Sequence, residues 1–192
     1  NIIRDNTSWD DNRIKAVIDP YPCPKPWIEY SGWLRNLFII KWNGKLTIRG
    51  SWTKFRYGYN DRNAGIDDMR SVCQSLSNIL GLPVDRGYVE RVDISFNLAL
   101  QARVKDYLLL LKYARGYKRA GFYNTGRIFN KAETVLAFYD KNAEARLKGH
   151  IIPGNHNILR YELRSMYPAR LLERPGGIYL ADLLETEIAN TL

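Results

Sequence analysis

Residues 38–48 read Phe-Ile-Ile-Lys-Trp-Asn-Gly-Lys-Leu-Thr-Ile, and this stretch constrains the fold more than any other. Its Asn43-Gly44 pair is favoured in two-residue β-hairpin turns, because both residues readily adopt a positive φ. β-branched and aromatic residues flank the pair on both sides, as is typical of strands. The stretch therefore predicts an antiparallel hairpin with strands over residues 34–42 and 45–49, preceded by a strand over residues 27–30.

Outward from the hairpin, helical and strand patterns follow one another. Apolar residues recur every three or four positions up to Leu80, where Gly81 and Pro83 follow, so a helix is predicted over residues 67–80. Polar and apolar residues alternate over 88–98 and 157–165, which predicts strands with two different faces. Further strands are predicted over 121–129 and 133–139, and further helices over 105–116, 142–148 and 179–189.

These patterns favour an α+β fold, in which a central antiparallel sheet carries helices mainly on one face. The polar, then proline-rich residues 1–26 are predicted to be irregular, and residues 50–65 to form a loop. A chain of 192 residues suits one sizeable domain, predicted over residues 27–192. No apolar run reaches about 18 residues, so no membrane span is expected. No secretory leader is recognisable, and two cysteines in no disulfide or zinc pattern favour the cytoplasm.

The charge of the chain points to nucleic acid. Lys and Arg number 29 against 20 Asp and Glu, which gives a net charge of +9 spread along the whole sequence. Such an excess attracts polyanions and favours a folded basic surface. Residues 50–65 interleave aromatic and cationic side chains, which suits unpaired DNA because bases stack on rings while cations meet phosphates. Alternatively, Trp52 and Phe55 pack in the core and only the charges face water.

Two carboxylates on predicted strands are candidate metal ligands, since hard divalent cations prefer oxygen donors. Asp93 shares a strand face with Arg91, so it is either a ligand or the partner of that arginine. Glu162 shares a face with Arg160 and Arg164. This Arg-Glu-Arg row is either a structural row of ion pairs or a ligand between two phosphate-binding arginines.

Four segments, taken in their order and spacing, carry a family resemblance. They are Leu46-Thr47-Ile48-Arg49-Gly50-Ser51-Trp52-Thr53-Lys54-Phe55, Val89-Glu90-Arg91-Val92-Asp93-Ile94-Ser95, Thr134-Val135-Leu136-Ala137-Phe138-Tyr139-Asp140-Lys141-Asn142-Ala143-Glu144 and Ile158-Leu159-Arg160-Tyr161-Glu162-Leu163-Arg164. Together they resemble the replication initiators of filamentous phages and of rolling-circle plasmids of the Rep_trans kind. The resemblance spans roughly residues 46–184.

The resemblance implies a fold related to the histidine-hydrophobe-histidine nicking enzymes, with carboxylates in place of the histidine pair. It implies Mg²⁺ or Mn²⁺ held by Asp93 and Glu162, and a tyrosine nucleophile. Tyr123 is the nearest match to that tyrosine and Tyr139 is the alternative, because the family's tyrosine usually lies nearer residues 126–128. Lys141 either stabilises charge on the phosphate or the tyrosinate, or is a solvent-exposed lysine at the start of a helix.

The implied reaction nicks one DNA strand at an origin, leaving a 5′-phosphotyrosine link and a free 3′ hydroxyl. Its implied partners are single-stranded or hairpin origin DNA and the host's helicase and polymerase, in the bacterial cytoplasm. The residues expected to contact DNA are Arg49, Lys54, Arg56, Arg91, Arg127, Lys131, Arg160 and Arg164.

Three other functions are compatible with the sequence. A relaxase of a mobile element would use the same chemistry. A non-catalytic domain that binds an origin or operator would share the basic surface without the reaction. An RNA-binding module is compatible with the charge, but the sequence shows none of the usual stacking motifs.

Overall fold

The computed structural model describes residues 2–3, 9–152, 154, 157–172 and 176–185. The strands in these residues are β1 (Ile2–Ile3), β2 (Asp19–Pro20), β3 (Ile28–Leu34), β4 (Leu37–Trp42), β5 (Lys45–Arg49), β6 (Val92–Leu100), β7 (Lys118–Tyr123), β8 (Gly126–Lys131), β9 (Thr134–Asp140) and β10 (Asn157–Ser165). The helices are α1 (Asp11–Val17), α2 (Trp52–Tyr57), α3 (Ile66–Leu80), α4 (Val104–Leu110), α5 (Lys141–Leu147), α6 (Pro168–Leu171) and α7 (Leu180–Leu183), with a 3₁₀ turn at Val84–Arg86. None of these helices has the length and apolar character needed to cross a membrane.

The fold is α+β, as predicted, but it contains two antiparallel sheets instead of one central sheet. The chain divides into two compact units, whereas a single domain was predicted over residues 27–192. The first unit comprises residues 1–60, 64–90 and 168–192, and the second comprises residues 61–63 and 91–167.

The sheet of the first unit has the strand order β1-β5-β4-β3-β2. The predicted hairpin is confirmed: β4 pairs with β5 around Asn43 (φ 47°) and Gly44 (φ 65°). The prediction of one strand over residues 34–42 is wrong, because Arg35 adopts a φ of 55° and turns the chain between β3 and β4. That turn contains no glycine or proline, so its sequence gives little warning of it.

One face of this sheet is buried and supports the core of the first unit. Leu37, Ile39, Leu46 and Ile48 are almost fully buried, and helix α1 packs against both β3 and α3. The prediction for α3 is confirmed, with its apolar side buried and Gly81 ending it in a left-handed conformation.

Two predictions of irregular structure in the first unit are wrong. Residues 1–26 include helix α1, in which Asp10 caps the first turn and Ile14 is fully buried. Residues 50–65 include helix α2, capped by the Ser51 side chain. The alternative interpretation of this segment holds for Phe55, which is 4% exposed, but Trp52 is only partly buried and Tyr59 is 58% exposed. The predicted helix over 179–189 is limited to Leu180–Leu183, and residues 186–189 lie outside the described residues.

The sheet of the second unit has the order β6-β10-β9-β8-β7. The predicted strand over 157–165 and the helix over 142–148 are confirmed as β10 and α5, the helix starting one residue earlier. The predicted strand over 121–129 is instead the hairpin of β7 and β8, and the predicted helix over 105–116 ends at Leu110. Helix α4 covers one face of the sheet, where Val104 and Leu108 form a core cluster with Leu159.

Candidate active site

The opposite face of the second unit's sheet gathers most of the polar residues selected from the sequence. Residues directly opposite each other in antiparallel strands share a face. Glu162 lies opposite Ser95, Arg164 opposite Asp93, and Arg160 opposite Tyr139. We call this surface the polar face; its central members are Asp93, Ser95, Asn97, Tyr139, Arg160, Glu162 and Arg164.

Glu162 is the centre of the polar face and both of its carboxylate oxygens accept hydrogen bonds. Oε1 accepts from the Tyr139 hydroxyl at 2.6 Å and from Arg160 Nε at 2.9 Å. Oε2 accepts from Arg164 Nε at 2.9 Å and Nη2 at 2.6 Å. Burial by itself would raise the pKa of the Glu162 carboxyl, but the hydrogen bonds from Tyr139 and Arg164 outweigh it and hold that pKa below its usual value. Glu162 is therefore an ionised, buried carboxylate held between two guanidinium groups.

Asp93 lies on the same face as Glu162, diagonally across the β6–β10 pair. It forms a two-pronged ion pair with Arg91, with Nε to Oδ1 at 2.8 Å and Nη2 to Oδ2 at 2.7 Å. Both partners are well exposed, at 50% for the Arg91 side chain and 39% for that of Asp93. The structural alternative for each carboxylate, pairing with arginine, is thus present in the molecule.

A metal ion on the polar face would have to compete with the arginines that pair with Asp93 and Glu162. Among the residues described, no group of three or more His, Cys, Asp or Glu side chains is placed to hold a metal ion. Asp93 and Glu162 nevertheless fit Mg²⁺ in donor type and in their shared face, because Mg²⁺ is commonly bound by one or two carboxylates together with substrate phosphates and water. The exposed Arg91 and the partly exposed Arg164 are the pairings that an incoming phosphate would compete for.

Tyr139 is half-buried and its phenol is committed to Glu162. Burial, and then the hydrogen bond to the Glu162 carboxylate, raise the pKa of the Tyr139 phenol far above its usual value. A phenol that stays protonated and points at a carboxylate is a poor nucleophile. Tyr139 is better suited to orienting Glu162.

Tyr123, in contrast to the half-buried Tyr139, is largely exposed. It ends β7 at the tip of the β7–β8 hairpin and its residue is 60% exposed. Tyr123 lies opposite Gly126, which lies opposite Tyr139, so the two tyrosines share the polar face with a glycine between them. Both line a cleft of about 320 Å³ together with Glu144 and Arg164. Tyr123 therefore places an accessible phenol on the polar face at its β7 edge, with β8 and β9 between it and Glu162.

The Tyr123 ring packs against its own strand. A Cβ added at Gly121 would lie 2.7 Å from Tyr123 Cε2. The ring therefore lies over Gly121, where any larger residue would displace it.

Lys141 is buried, with 3% of the residue exposed, so the interpretation as a solvent-exposed lysine is wrong. Its ammonium lies 2.5 Å from Glu144 Oε2, and Lys148 pairs with the other oxygen of the same carboxylate. Burial lowers the pKa of Lys141, while the hydrogen bond to Glu144 opposes that change. Glu144, whose pKa lies below its usual value because bonds from Lys141 and Lys148 outweigh burial, links this pair to the cleft.

The sequence did not assign a role to three of the residues in this arrangement. Glu144 stands three residues after Lys141, the spacing that places two side chains on one side of a helix. Ser95 and Asn97 continue the alternation that begins at Asp93 and bind Arg160 at 2.6 Å and 3.3 Å. These spacings were visible in the sequence, whereas the contacts of Ser95 and Asn97 with Arg160 depend on the register of β6 and β10.

The residues expected to contact DNA fall into three groups. Arg49 and Lys54 in the first unit, and Lys131 and Arg91 in the second, are exposed. Arg56 is exposed but binds Asp68 at 3.1 Å and Ser71 at 2.6 Å, and Arg164 binds Glu162. Arg127 and Arg160, which were also expected to contact DNA, are buried, with only 8% and 6% of each residue exposed.

Arg127 instead holds the hairpin that carries Tyr123. Its Nη1 donates to the carbonyl of Gly126 at 2.9 Å and, through a short hydrogen bond, to the carbonyl of Tyr123 at 2.5 Å. Its guanidinium also lies 4.6 Å from the centre of the Phe122 ring. The Arg127 guanidinium therefore binds backbone carbonyls of the β7–β8 turn that carries Tyr123.

This placement predicts opposite results for two basic residues of β8. Arg127→Met is expected to cost roughly 1.5–3 kcal/mol of unfolding free energy, because it removes charged hydrogen bonds to buried carbonyls. Its DNA affinity, measured while folded, should keep the wild-type salt dependence. Lys131→Met is expected to leave stability within about 0.5 kcal/mol and to lower the salt slope of binding by about 1. Denaturant unfolding measures the stability of both variants, and salt titration of DNA binding measures their salt slopes. A reduced salt slope for Arg127→Met would show that Arg127 contacts a DNA phosphate.

Comparison with known proteins agrees with the sequence resemblance. The model of the Phage_CRI family, described as the N-terminal part of a replication-associated protein, matches residues 21–177. No curated protein gives a significant match, and neither does any solved structure.

Proposed function

Because the chain belongs to the Phage_CRI family of replication-associated proteins, the rolling-circle initiators of filamentous phages, we propose that it nicks one DNA strand with Tyr123 as nucleophile and Mg²⁺ or Mn²⁺ as cofactor. Initiators of rolling-circle replication are nicking enzymes in general. The observation that carries the proposal is the exposed Tyr123 phenol on the same sheet face as Asp93 and Glu162.

The proposed reaction exchanges one phosphoester for another. The Tyr123 oxygen attacks the scissile phosphorus and loses its proton, a P–O bond to the phenol forms, and the P–O3′ bond breaks. The 3′ oxygen leaves and takes up a proton as a free hydroxyl, and the downstream strand stays joined to the protein through its 5′ phosphate. Because one phosphodiester replaces another without hydrolysis, the bond to Tyr123 can later be exchanged again to rejoin the DNA strand.

The side chains of the polar face would serve this reaction in distinct ways. Asp93 and Glu162 would hold the divalent ion, which supplies charge neutralisation at the phosphate when bound. Arg91 and Arg164, both accessible, would shift from carboxylate to phosphate oxygens as DNA enters. Buried Arg160 and Tyr139 would keep Glu162 oriented, and Arg127 would hold the hairpin under Tyr123.

The pairing of both carboxylates with arginine favours one other function. In that case Asp93 and Glu162 are only structural, and the protein binds origin or operator DNA without cutting it. The exposed cations would then supply a salt-dependent affinity for DNA, with no covalent product.

A covalent-capture experiment separates the two functions. A pool of random-sequence single strands, labelled at the 3′ end in one sample and at the 5′ end in another, is incubated with the protein in Mn²⁺ or in EDTA. We expect a denaturation-resistant protein–DNA adduct in Mn²⁺ with the 3′ label only, because the downstream fragment stays on the protein. EDTA should abolish the adduct. Binding without any adduct in Mn²⁺ would support the non-catalytic function, and an adduct of equal yield in EDTA would reject the metal.

A further inference from the structure

The sheet of the first unit has a second face, on which Ser31 and Thr47 are buried but aromatic rings stay exposed. Trp33 lies opposite Phe38, and Phe38 opposite Arg49. Two pairs further along this face, Trp42 lies opposite Lys45. These side chains point away from the buried Leu37, Ile39, Leu46 and Ile48, because neighbouring residues of a strand face opposite sides. We call the surface formed by Tyr21, Ile28, Trp33, Phe38, Ile40, Trp42, Lys45 and Arg49 the outer face.

Tyr21 joins this surface although it follows the last residue of β2. Its backbone N–H donates to the Ser31 carbonyl at 3.0 Å, and the Ser31 hydroxyl donates to the Tyr21 carbonyl at 2.6 Å. The Tyr21 ring then meets Phe38 edge-on, with centroids 5.7 Å apart. The Trp33 ring also packs against Phe38, with centroids 4.7 Å apart. Phe38 thus anchors two larger rings on the outer face.

Those two rings remain open to solvent. Tyr21 is 54% exposed and Trp33 is 41% exposed. Held by a common neighbour and by the strands beneath them, they offer flat surfaces at little cost in side-chain entropy. Contiguous exposed aromatic rings commonly mark an interaction surface.

Cations lie among the rings. Arg49 is exposed and lies directly opposite Phe38. Lys45 Nζ lies 5.1 Å from the centre of the Trp42 ring. Asp19, opposite Trp33 at the sheet edge, is the acidic neighbour of this cluster. The charge of the outer face is therefore complementary to a polyanion, in a chain of net charge +9.

We propose that the outer face binds single-stranded DNA, with unpaired bases stacked on Trp33 and Tyr21 and phosphates bound by Arg49 and Lys45. The identity of the occupant as DNA rests on the proposed function. Rings that present flat surfaces need unpaired bases, because the faces of paired bases are covered by their neighbours in a duplex. This surface is built entirely from the first unit and shares no residue with the polar face of the second.

Binding is measured by fluorescence anisotropy with labelled oligo-dT of about 20 nucleotides, long enough for more than one stacking position. EDTA is present throughout, so no cleavage is needed and the result is independent of the nicking proposal. Trp33→Ala is expected to weaken binding by about 5- to 100-fold, and Trp33→Phe, which keeps a ring, by much less. The matched control is Tyr113→Ala, which removes an aromatic residue that is 81% exposed in the second unit and should leave affinity unchanged.

Photo-cross-linking with iodouracil-substituted oligonucleotide gives a second measurement that does not depend on a variant's folding. Cross-links mapped to Tyr21 or Trp33, together with a loss on single strands that is absent on duplex, support the proposal. Unchanged affinity of Trp33→Ala, equal losses on single strand and duplex, or cross-links confined to other residues would overturn it. Tighter binding of oligo-U RNA than of oligo-dT would assign the face to RNA instead.

Discussion

Tyr123→Phe is expected to lower the rate of covalent adduct formation by about 10⁴-fold or more, because it removes only the attacking oxygen. The residue is 60% exposed at the tip of a hairpin, so the loss of its hydroxyl should change the unfolding free energy by less than about 0.5 kcal/mol. Adduct formation in Mn²⁺, measured by gel under single-turnover conditions, gives the rate. DNA affinity should stay close to that of the wild type.

Two matched variants serve as controls for the Tyr123→Phe result. Tyr113→Phe alters another exposed tyrosine of the second unit and should retain the full rate. Tyr139→Phe removes the hydrogen bond to Glu162; it should slow the reaction without ending it and should lower stability by roughly 1 kcal/mol. If the adduct persists in Tyr123→Phe and is absent in Tyr139→Phe, the two tyrosines have been assigned the wrong way round.

Glu162→Gln is expected to reduce the unfolding free energy by about 3 kcal/mol, because removing one member of a buried ion pair commonly costs about 3–5 kcal/mol. The substitution removes the negative charge that pairs with the buried Arg160 guanidinium, whose side chain is 7% exposed. The lower end of that range applies because the Arg164 side chain is 35% exposed. Thermal unfolding should show a midpoint lowered by about 10 °C.

Asp93→Asn is the control for that prediction, because it neutralises the other proposed metal ligand at an exposed position. An exposed ion pair contributes about 0–1 kcal/mol, so Asp93→Asn should unfold near the wild-type midpoint. Its adduct formation should nevertheless fall steeply in Mn²⁺ if the ion is held there. Equal stability losses in the two variants would show that the Arg-Glu-Arg row is not a structural centre, and a wild-type rate for Asp93→Asn would remove Asp93 from the metal site.

The parts of the fold that sequence patterns predicted well are those whose signals are local. Asn43-Gly44 fixes its own hairpin through two positive φ angles, and the apolar repeat that ends at Gly81 defines α3. Missed elements depended on packing at a distance. Helix α1 buries Ile14 completely, but its seven residues carry too little periodicity to identify a helix. The turn at Arg35 forms without glycine or proline, so the boundary between β3 and β4 was predicted at residues 31–33 instead of 35–36.

The candidate site shows the same division. Alternation along single strands predicted that Arg160, Glu162 and Arg164 share a face, and they do. Which carboxylate each arginine meets is decided by the register of β6, β9 and β10, and residues far apart in the chain set that register. Arg127 was selected for its charge, yet the hairpin geometry turns its guanidinium onto backbone carbonyls. The sequence shows that Arg127 is charged, but it does not show which groups bind its guanidinium in the folded protein.

Mass spectrometry of the DNA-linked peptide is the most direct test of the tyrosine mechanism. The adduct formed in Mn²⁺ is digested with nuclease and protease, and the residue that carries the remaining nucleotide is located by fragmentation. We expect a phosphate ester on the Tyr123 oxygen and on no other residue. A nucleotide on Tyr139 or on any other side chain, or a cleaved strand with no nucleotide on the protein, would contradict the mechanism.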